Sequence, residues 1–336
     1  MRRRTSVCRA RMKPQTANLS ILDVLSSRRR PHGLSKDKYS ERRANAMYSP
    51  EEFLIPQNLD EVLSIIAANP DGSRVVAGNT TMFELASRGL APDVKILIDI
   101  SRAGLDRLEL RGDELHIGST VTLAELTNSP ILTNDRLYAA IAETAREISP
   151  SQVRNVATVG GEICSAISFF DLPAILLALD AEVNIVSKGK QRMLPLRDFY
   201  TDFLAIALEP GEIVTEIVLH KPKGKSSAAF IKLGRTASDF ALVNVATSLS
   251  FDESGNCQTS RIWLGGVGAT YHECKASESI LVGSKLDEPT VRKAADLAVD
   301  FEPSPSIHAS SKYKRTIIPA LTRNCLHNAL GKIRSN

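Results

Sequence analysis

Residues 153–181 read Val-Arg-Asn-Val-Ala-Thr-Val-Gly-Gly-Glu-Ile-Cys-Ser-Ala-Ile-Ser-Phe-Phe-Asp-Leu-Pro-Ala-Ile-Leu-Leu-Ala-Leu-Asp-Ala. They set Gly160 and Gly161 between an apolar, strand-like run and an apolar helix that Asp171 is placed to cap and Pro173 to start. Paired glycines take positive φ at no steric cost and leave their N–H groups uncovered, so an anion can lie against the backbone. A second loop of this kind lies upstream in Arg74-Val-Val-Ala-Gly-Asn-Thr-Thr-Met-Phe-Glu-Leu85. There a β-branched run breaks at Gly78-Asn79, and Thr81-x-x-Glu84 reads as a capping box opening a helix whose free N–H groups attract anions. Two such loops suit a ligand with a diphosphate.

Charge separates the chain into a tail and a body. Residues 1–46 hold thirteen Lys/Arg against three Asp/Glu, which leaves 42 − 13 = 29 basic against 38 − 3 = 35 acidic residues for the remainder. A mildly acidic body gives no electrostatic reason to expect nucleic acid. The tail, with Arg2-Arg3-Arg4, Arg28-Arg29-Arg30 and many serines, lacks apolar periodicity and an apolar stretch suited to a secretory signal. Its composition fits an unstructured segment, sequence upstream of a start at Met47, an organellar transit peptide or a nucleic-acid-binding arm.

Cys8, Cys164, Cys257, Cys274 and Cys325 are scattered, odd in number and free of C-x-x-C spacing, which argues against disulfides and against a zinc or iron–sulfur site in this chain. A reducing cytoplasm is the expected compartment. No apolar run reaches the ~20 residues needed to span a bilayer. The six histidines show no ligand spacing, so no metal site is expected. No G-x-G-x-x-G follows a strand, and Gly224-Lys225-Ser226 lacks the upstream glycine of a P-loop because Leu219 stands there.

From Tyr48 onward the periodicity predicts mixed elements. Helices are expected over 59–68, 123–126, 137–148, 172–179, 289–299 and 310–330, the last ending at Gly331 as a left-handed cap. Strands are expected over 74–77, 94–100, 114–118, 181–187, 213–219, 229–233, 241–251 and 261–267. The polar stretch His220-Lys-Pro-Lys-Gly-Lys-Ser-Ser227 marks a domain break.

Val75-Val-Ala-Gly-Asn-Thr80, Arg154-Asn-Val-Ala-Thr-Val-Gly-Gly161 with Asp171, Glu212-Ile-Val-Thr-Glu-Ile217, Phe230-Ile-Lys-Leu-Gly-Arg235 with Asp239, and Ser311-Lys-Tyr-Lys-Arg315 occur in that order. Together they resemble the FAD-binding medium subunit of molybdenum hydroxylases, the group of the carbon monoxide dehydrogenase flavoprotein and the flavin domain of xanthine dehydrogenase. The resemblance covers nearly the whole chain from about Tyr48. It implies an α+β fold: a two-subdomain PCMH-type FAD-binding domain over 47–222, then a C-terminal domain of a small antiparallel sheet with helices over 223–333. It implies an oxidoreductase subunit that carries electrons through FAD. A large partner would bind the molybdenum cofactor, a small partner would hold two-iron two-sulfur clusters, and NAD, a quinone or another acceptor would take the electrons.

By resemblance, Arg74, Val75, Val76, Ala77, Gly78, Asn79, Thr80, Thr81 and Met82 would wrap the diphosphate from one side. Thr158, Gly160, Gly161, Glu162 and Ser165 would hold the other. Asp171 would fix the adenosine part directly or by capping its helix, Ile213 and Val214 would pack near the flavin, and Lys232 would contact it. The residues alone leave other roles open: turn glycines at Gly78 and Gly160, a structural N-cap at Asp171, a solvated charge at Lys232, a local ion pair between Arg235 and Asp239, and a small buried hydrophobe at Cys164. Glu162 departs from the asparagine usual in the family, and its carboxylate would be repelled by a diphosphate unless it turns away or meets a cation. That departure keeps a flavin-free scaffold subunit of the same fold in view. Phe169-Phe170 also depart from the small or polar residues common there.

Overall fold

The computed structural model describes residues 50–87, 94–148, 150–237 and 239–334. The basic segment 1–46 and Met47 lie outside them. Residues 52–99 form a first subdomain from β1 (Glu52–Leu54), α1 (Leu59–Ala68), β2 (Ser73–Val76), α2 (Thr80–Ser87) and β3 (Ile96–Asp99). Asn58 starts α1 by accepting the Glu61 N–H at 2.9 Å, and Asp60 and Glu61 complement the positive helix end. Val62, Leu63 and Ile66 fall on one face and bury against the sheet, whose strands run parallel in the order β1-β3-β2. Helix α2 lies in the connection between the neighbours β2 and β3, as the crossover between parallel strands requires.

The second subdomain carries a five-stranded antiparallel sheet, β4-β5-β10-β6-β7, from β4 (Leu108–Arg111), β5 (Glu114–Gly118), β6 (Glu182–Ser187), β7 (Lys190–Pro195) and β10 (Ile213–His220). Between β5 and β6 come α3 (Leu123–Asn128), α4 (Pro130–Thr133), α5 (Ala139–Glu147), α6 (Ser151–Arg154), α7 (Val159–Cys164) and α8 (Leu172–Ala178). After β7, a short α9 (Leu196–Phe199) leads into a hairpin of β8 (Tyr200–Asp202) and β9 (Ala205–Ile206). A complete capping box, Thr122 with Glu125, opens α3. Every residue of α8 is buried, as its apolar sequence requires, and each leucine or isoleucine so placed contributes roughly 1.5–3 kcal/mol.

The C-terminal domain pairs β11 (Lys225–Leu233), β12 (Val243–Phe251), β13 (Cys257–Gly265) and β14 (His272–Glu273) in sequence order, antiparallel throughout. Helices α10 (Lys275–Leu281), α11 (Glu288–Leu297) and the 24-residue α12 (Ser311–Arg334) complete it. Ala228, Ala246, Trp263 and Tyr271 of this domain join the apolar core of the second subdomain, so the two domains share packing.

Several local expectations need correction. Gly160 and Gly161 do not form a positive-φ turn after a strand; they lie in the first turn of α7, preceded by helix α6 and an extended Thr158. Thr81 is not an N-cap, because α2 already begins at Thr80 behind Asn79, which takes φ 57°. Asp171 occupies the N-cap position of α8 but its side chain makes no capping bond. Gly331 does not end α12, which runs on to Arg334 because Leu330 and Ile333 still pack on the C-terminal core.

Candidate functional site

The two loops singled out by sequence meet. A Cβ built on Gly78 would lie 1.7 Å from the Val156 carbonyl oxygen and 2.4 Å from its carbon, so only glycine lets the first loop rest on the backbone that leads into the second. Thr81 Oγ1 accepts a hydrogen bond from Ser165 Oγ at 3.2 Å and ties the loops a second time. A Cβ on Gly160 would fall 2.8 Å from both Cβ and O of Ser119, which brings the end of β5 against α7.

These contacts frame a cleft of about 570 Å³ between the subdomains. All nine residues Arg74, Val75, Val76, Ala77, Gly78, Asn79, Thr80, Thr81 and Met82 line it, facing Thr158, Gly160, Gly161, Glu162 and Ser165. Ile213 and Val214, at the start of β10, supply an apolar wall with Ile206 and Leu208. The rim segment 207–212 is held by Arg192, which donates to both Glu212 oxygens at 2.8 and 2.7 Å and to the Ala207 carbonyl at 2.7 Å. That guanidinium keeps the Glu212 carboxyl below the usual carboxylate range.

The walls differ in their donors. Among the described residues the N–H groups of Gly78, Asn79 and Thr80 donate to no partner, and these three residues line the cleft at the start of α2. On the opposite wall the backbone donors are engaged. Val159 N–H bonds Val121 O, Gly160 N–H bonds Ser119 O at 2.8 Å, Gly161 N–H bonds Thr158 Oγ1 at 3.1 Å, and Glu162 N–H bonds Thr158 O. The uncovered amides expected at Gly160 and Gly161 are therefore absent, and that wall offers hydroxyls. Ser119 Oγ, a lining residue that sequence reasoning missed, is buried without a hydrogen-bond partner among the described residues. Its signal lies in the fold, since only the docking of Gly160 brings it to the site.

Asp171 and Lys232 do not line the cleft. Lys232 Nζ donates to Asp171 Oδ2 at 2.8 Å and to the Glu147 carbonyl, and the two side chains are only 4% and 6% exposed. Asn244 Nδ2 adds a bond to Asp171 Oδ1 at 3.0 Å. Burial pushes the Asp171 carboxyl up, and the Lys232 ammonium opposes that rise. The pair joins α8 of the first domain to β11 of the second behind the cleft wall. Arg235 and Asp239 form the local ion pair, at 2.9 Å.

Burial drives the Glu162 carboxyl up to about 8, with the Asp171 charge adding to the rise. The Cys164 thiol is pushed to about 12 by burial and is inert as a nucleophile. Phe169 and Phe170 pack with Phe240, ring centroids 5.2 and 5.6 Å apart, and Phe240 remains 52% exposed. Among the described residues no group of three or more His, Cys, Asp and Glu side chains gathers to hold a metal ion, and no helix is long and apolar enough to cross a membrane.

The residues present fit a dinucleotide. Unpaired amides at a helix start, a Gly78 contact no other residue permits, an orphaned hydroxyl and an apolar wall are what a diphosphate flanked by a flat ring system requires.

Comparisons with known proteins agree with this geometry. The profile described as "FAD binding domain in molybdopterin dehydrogenase" matches residues 47–222, and that of the "CO dehydrogenase flavoprotein C-terminal domain" matches 228–329. The 6-hydroxypseudooxynicotine dehydrogenase complex subunit alpha of Paenarthrobacter nicotinovorans is 29% identical over 285 residues, covering 84% of this chain and 95% of that protein. The carbon monoxide dehydrogenase medium chain of Afipia carboxidovorans is 26% identical over 282 residues, 83% of this chain and 96% of that one. Among solved structures, carbon monoxide dehydrogenase from Hydrogenophaga pseudoflava superposes with a TM-score of 0.80 at 25% identity, covering 85% of this chain and 99% of that one. Quinoline 2-oxidoreductase from Pseudomonas putida 86 gives 0.77 at 27% identity, covering 84% and 98%. The FAD-binding profile alone spans more than half of the sequence, and the chain belongs to the family of FAD-binding domains in molybdopterin dehydrogenases as an oxidoreductase flavoprotein subunit.

Proposed function

We propose that the cleft between residues 73–82 and 158–165 binds FAD and that this chain is the electron-transfer subunit of a heteromeric molybdenum hydroxylase. The observation that carries the reading is the contact of Gly78 with Val156, which brings the free amides of the first loop to the wall formed by the second. In this reading the N–H groups of Gly78, Asn79 and Thr80 hold the diphosphate, and Arg74, Val75, Val76, Ala77, Thr81 and Met82 shape the loop around it. Thr158, Gly160, Gly161, Glu162 and Ser165 form the facing wall with Ser119, and Ile213 and Val214 cover the flavin ring. Asp171 and Lys232 act from behind by fixing that wall. The division into an FAD-binding domain over 47–222 and a C-terminal domain over 223–333 belongs to the same proposal.

Bound FAD would supply two-electron and one-electron redox chemistry. Electrons would come from a small partner with two-iron two-sulfur clusters, and a large partner with the molybdenum cofactor would oxidise substrate. The acceptor would be NAD, a quinone or another external oxidant. Subunit names such as "medium chain" among the relatives support a multi-subunit assembly. Free thiols at Cys164, Cys257, Cys274 and Cys325 support a reducing cytoplasm.

The second reading, a flavin-free scaffold, is favoured by the engaged amides of residues 159–162 and by Glu162. Titration of the purified full chain with FAD, followed by flavin fluorescence, separates the two. The flavoprotein reading expects saturable binding by the wild type and by Glu162→Asn. A folded wild type that refuses FAD while Glu162→Asn binds it supports the scaffold, and refusal by both proteins overturns the flavin reading.

A further inference from the structure

We propose that Glu162 meets FAD as an uncharged carboxylic acid, donating its O–H to the bound nucleotide, so that FAD affinity is coupled to one proton at this side chain. The inference rests on the flavin reading above and deepens it.

Glu162 lines the cleft and is half-buried, and among the described residues its carboxyl has neither an ion pair nor a hydrogen bond. An ionised carboxylate so placed would carry an uncompensated charge in a poorly solvated wall. Among the described residues the cation that favours ionisation, Lys232 on β11, is committed to Asp171 and to the Glu147 carbonyl. Asp171, at the start of α8, presents like charge and disfavours a second anion.

Among the described residues the remaining neighbours add no positive charge. Tyr200 on β8 and Tyr271 beside β14 are both kept as phenols by burial, and the Tyr200 hydroxyl has no partner among the described residues. Cys164, on the same helix as Glu162, is kept as a thiol. Elsewhere on the cleft Glu209 and Glu212 are acidic, and Arg74 is exposed at the rim. With the side chain neutral, the repulsion expected between residue 162 and a diphosphate disappears. The acid then offers a donor, as the asparagine usual in the family does.

The sign of the coupling follows. A bound dianionic diphosphate raises the proton affinity of Glu162 above its value in the free protein. Binding is therefore strongest below the free-protein titration near 8 and weakens as pH rises through it.

The test is FAD affinity of the full chain between pH 6 and 9 by fluorescence titration, together with calorimetric proton uptake in buffers of different ionisation enthalpy. Wild type is expected to bind about tenfold more weakly at pH 9 than at pH 7 and to take up a proton on binding at pH 9. Glu162→Gln, isosteric and unable to ionise, is expected to bind at every pH within about twofold of the wild type at pH 7, without proton uptake. Equal pH dependence in both proteins, or none in either, overturns the coupling while leaving flavin binding intact. Failure of both proteins to bind FAD at any pH overturns the flavin reading and this inference with it.

Discussion

Substituting Gly78 by alanine tests the central contact of the site. The added methyl carbon would sit 1.7 Å from the Val156 oxygen and 3.0 Å from the Ala157 nitrogen, both main-chain atoms that no rotamer change can move. Ordinary contact begins at 3.4 Å, so the two loops must separate by about 3.4 − 1.7 = 1.7 Å. Overpacking costs about 1–3 kcal/mol, and an immovable main-chain obstacle at this distance places Gly78→Ala near 3 kcal/mol. If the cost falls on the binding-competent arrangement of the loops, it corresponds to about a hundredfold loss of FAD affinity. Flavin fluorescence titration and urea denaturation measure the two effects side by side. Gly72→Ala is the control, since its methyl would meet only the Lys95 side chain at 3.9 Å. A Gly78→Ala protein that matches Gly72→Ala in both FAD affinity and stability refutes the reasoning.

Removing one partner of the buried Lys232–Asp171 pair, by Lys232→Met or Asp171→Leu, should cost about 3–5 kcal/mol in urea denaturation, and the double variant should lose much less than the sum. Burial raises the Glu278 carboxyl to about 7, so the folded state prefers the neutral acid. Its contribution to stability is full below about 4.5 and is lost as pH rises through about 7. Glu278→Gln should flatten that loss, by roughly 1–3 kcal/mol between pH 5 and 8, in denaturation curves measured at both pH values. Thr122→Ala removes the capping box of α3 and should lower stability by about 1 kcal/mol, visible as a shift in the thermal midpoint.

Locally encoded features were legible in the sequence. The strand Glu114–Gly118 falls on the residues expected for it, and a helix opens after Thr122 as expected. The break of a β-branched run at Gly78-Asn79 was legible as a loop, and the whole stretch 74–82 lines the cleft. What could not be read was which groups each loop spends on the rest of the fold. Gly160 looked like a source of free amides, but its N–H is taken by Ser119 and its missing side chain makes room for that residue. Asp171 looked like a cap, yet a lysine from the other domain claims its carboxyl. Gly331 looked like a helix end, but apolar residues beyond it still had a core to cover.

Helix α12 follows all the other described elements in chain order, yet Lys332 near its end donates to the Glu143 carboxylate of α5 and to the Ala228 carbonyl. Ser227 Oγ likewise donates to the Ala329 carbonyl. The seam between the domains is thus stitched at Lys332 by a residue synthesised after the groups it fastens. A nascent chain can form its N-terminal sheets early, but the flanks of α5 and β11 stay uncovered until α12 has been synthesised, and holding that window open favours aggregation.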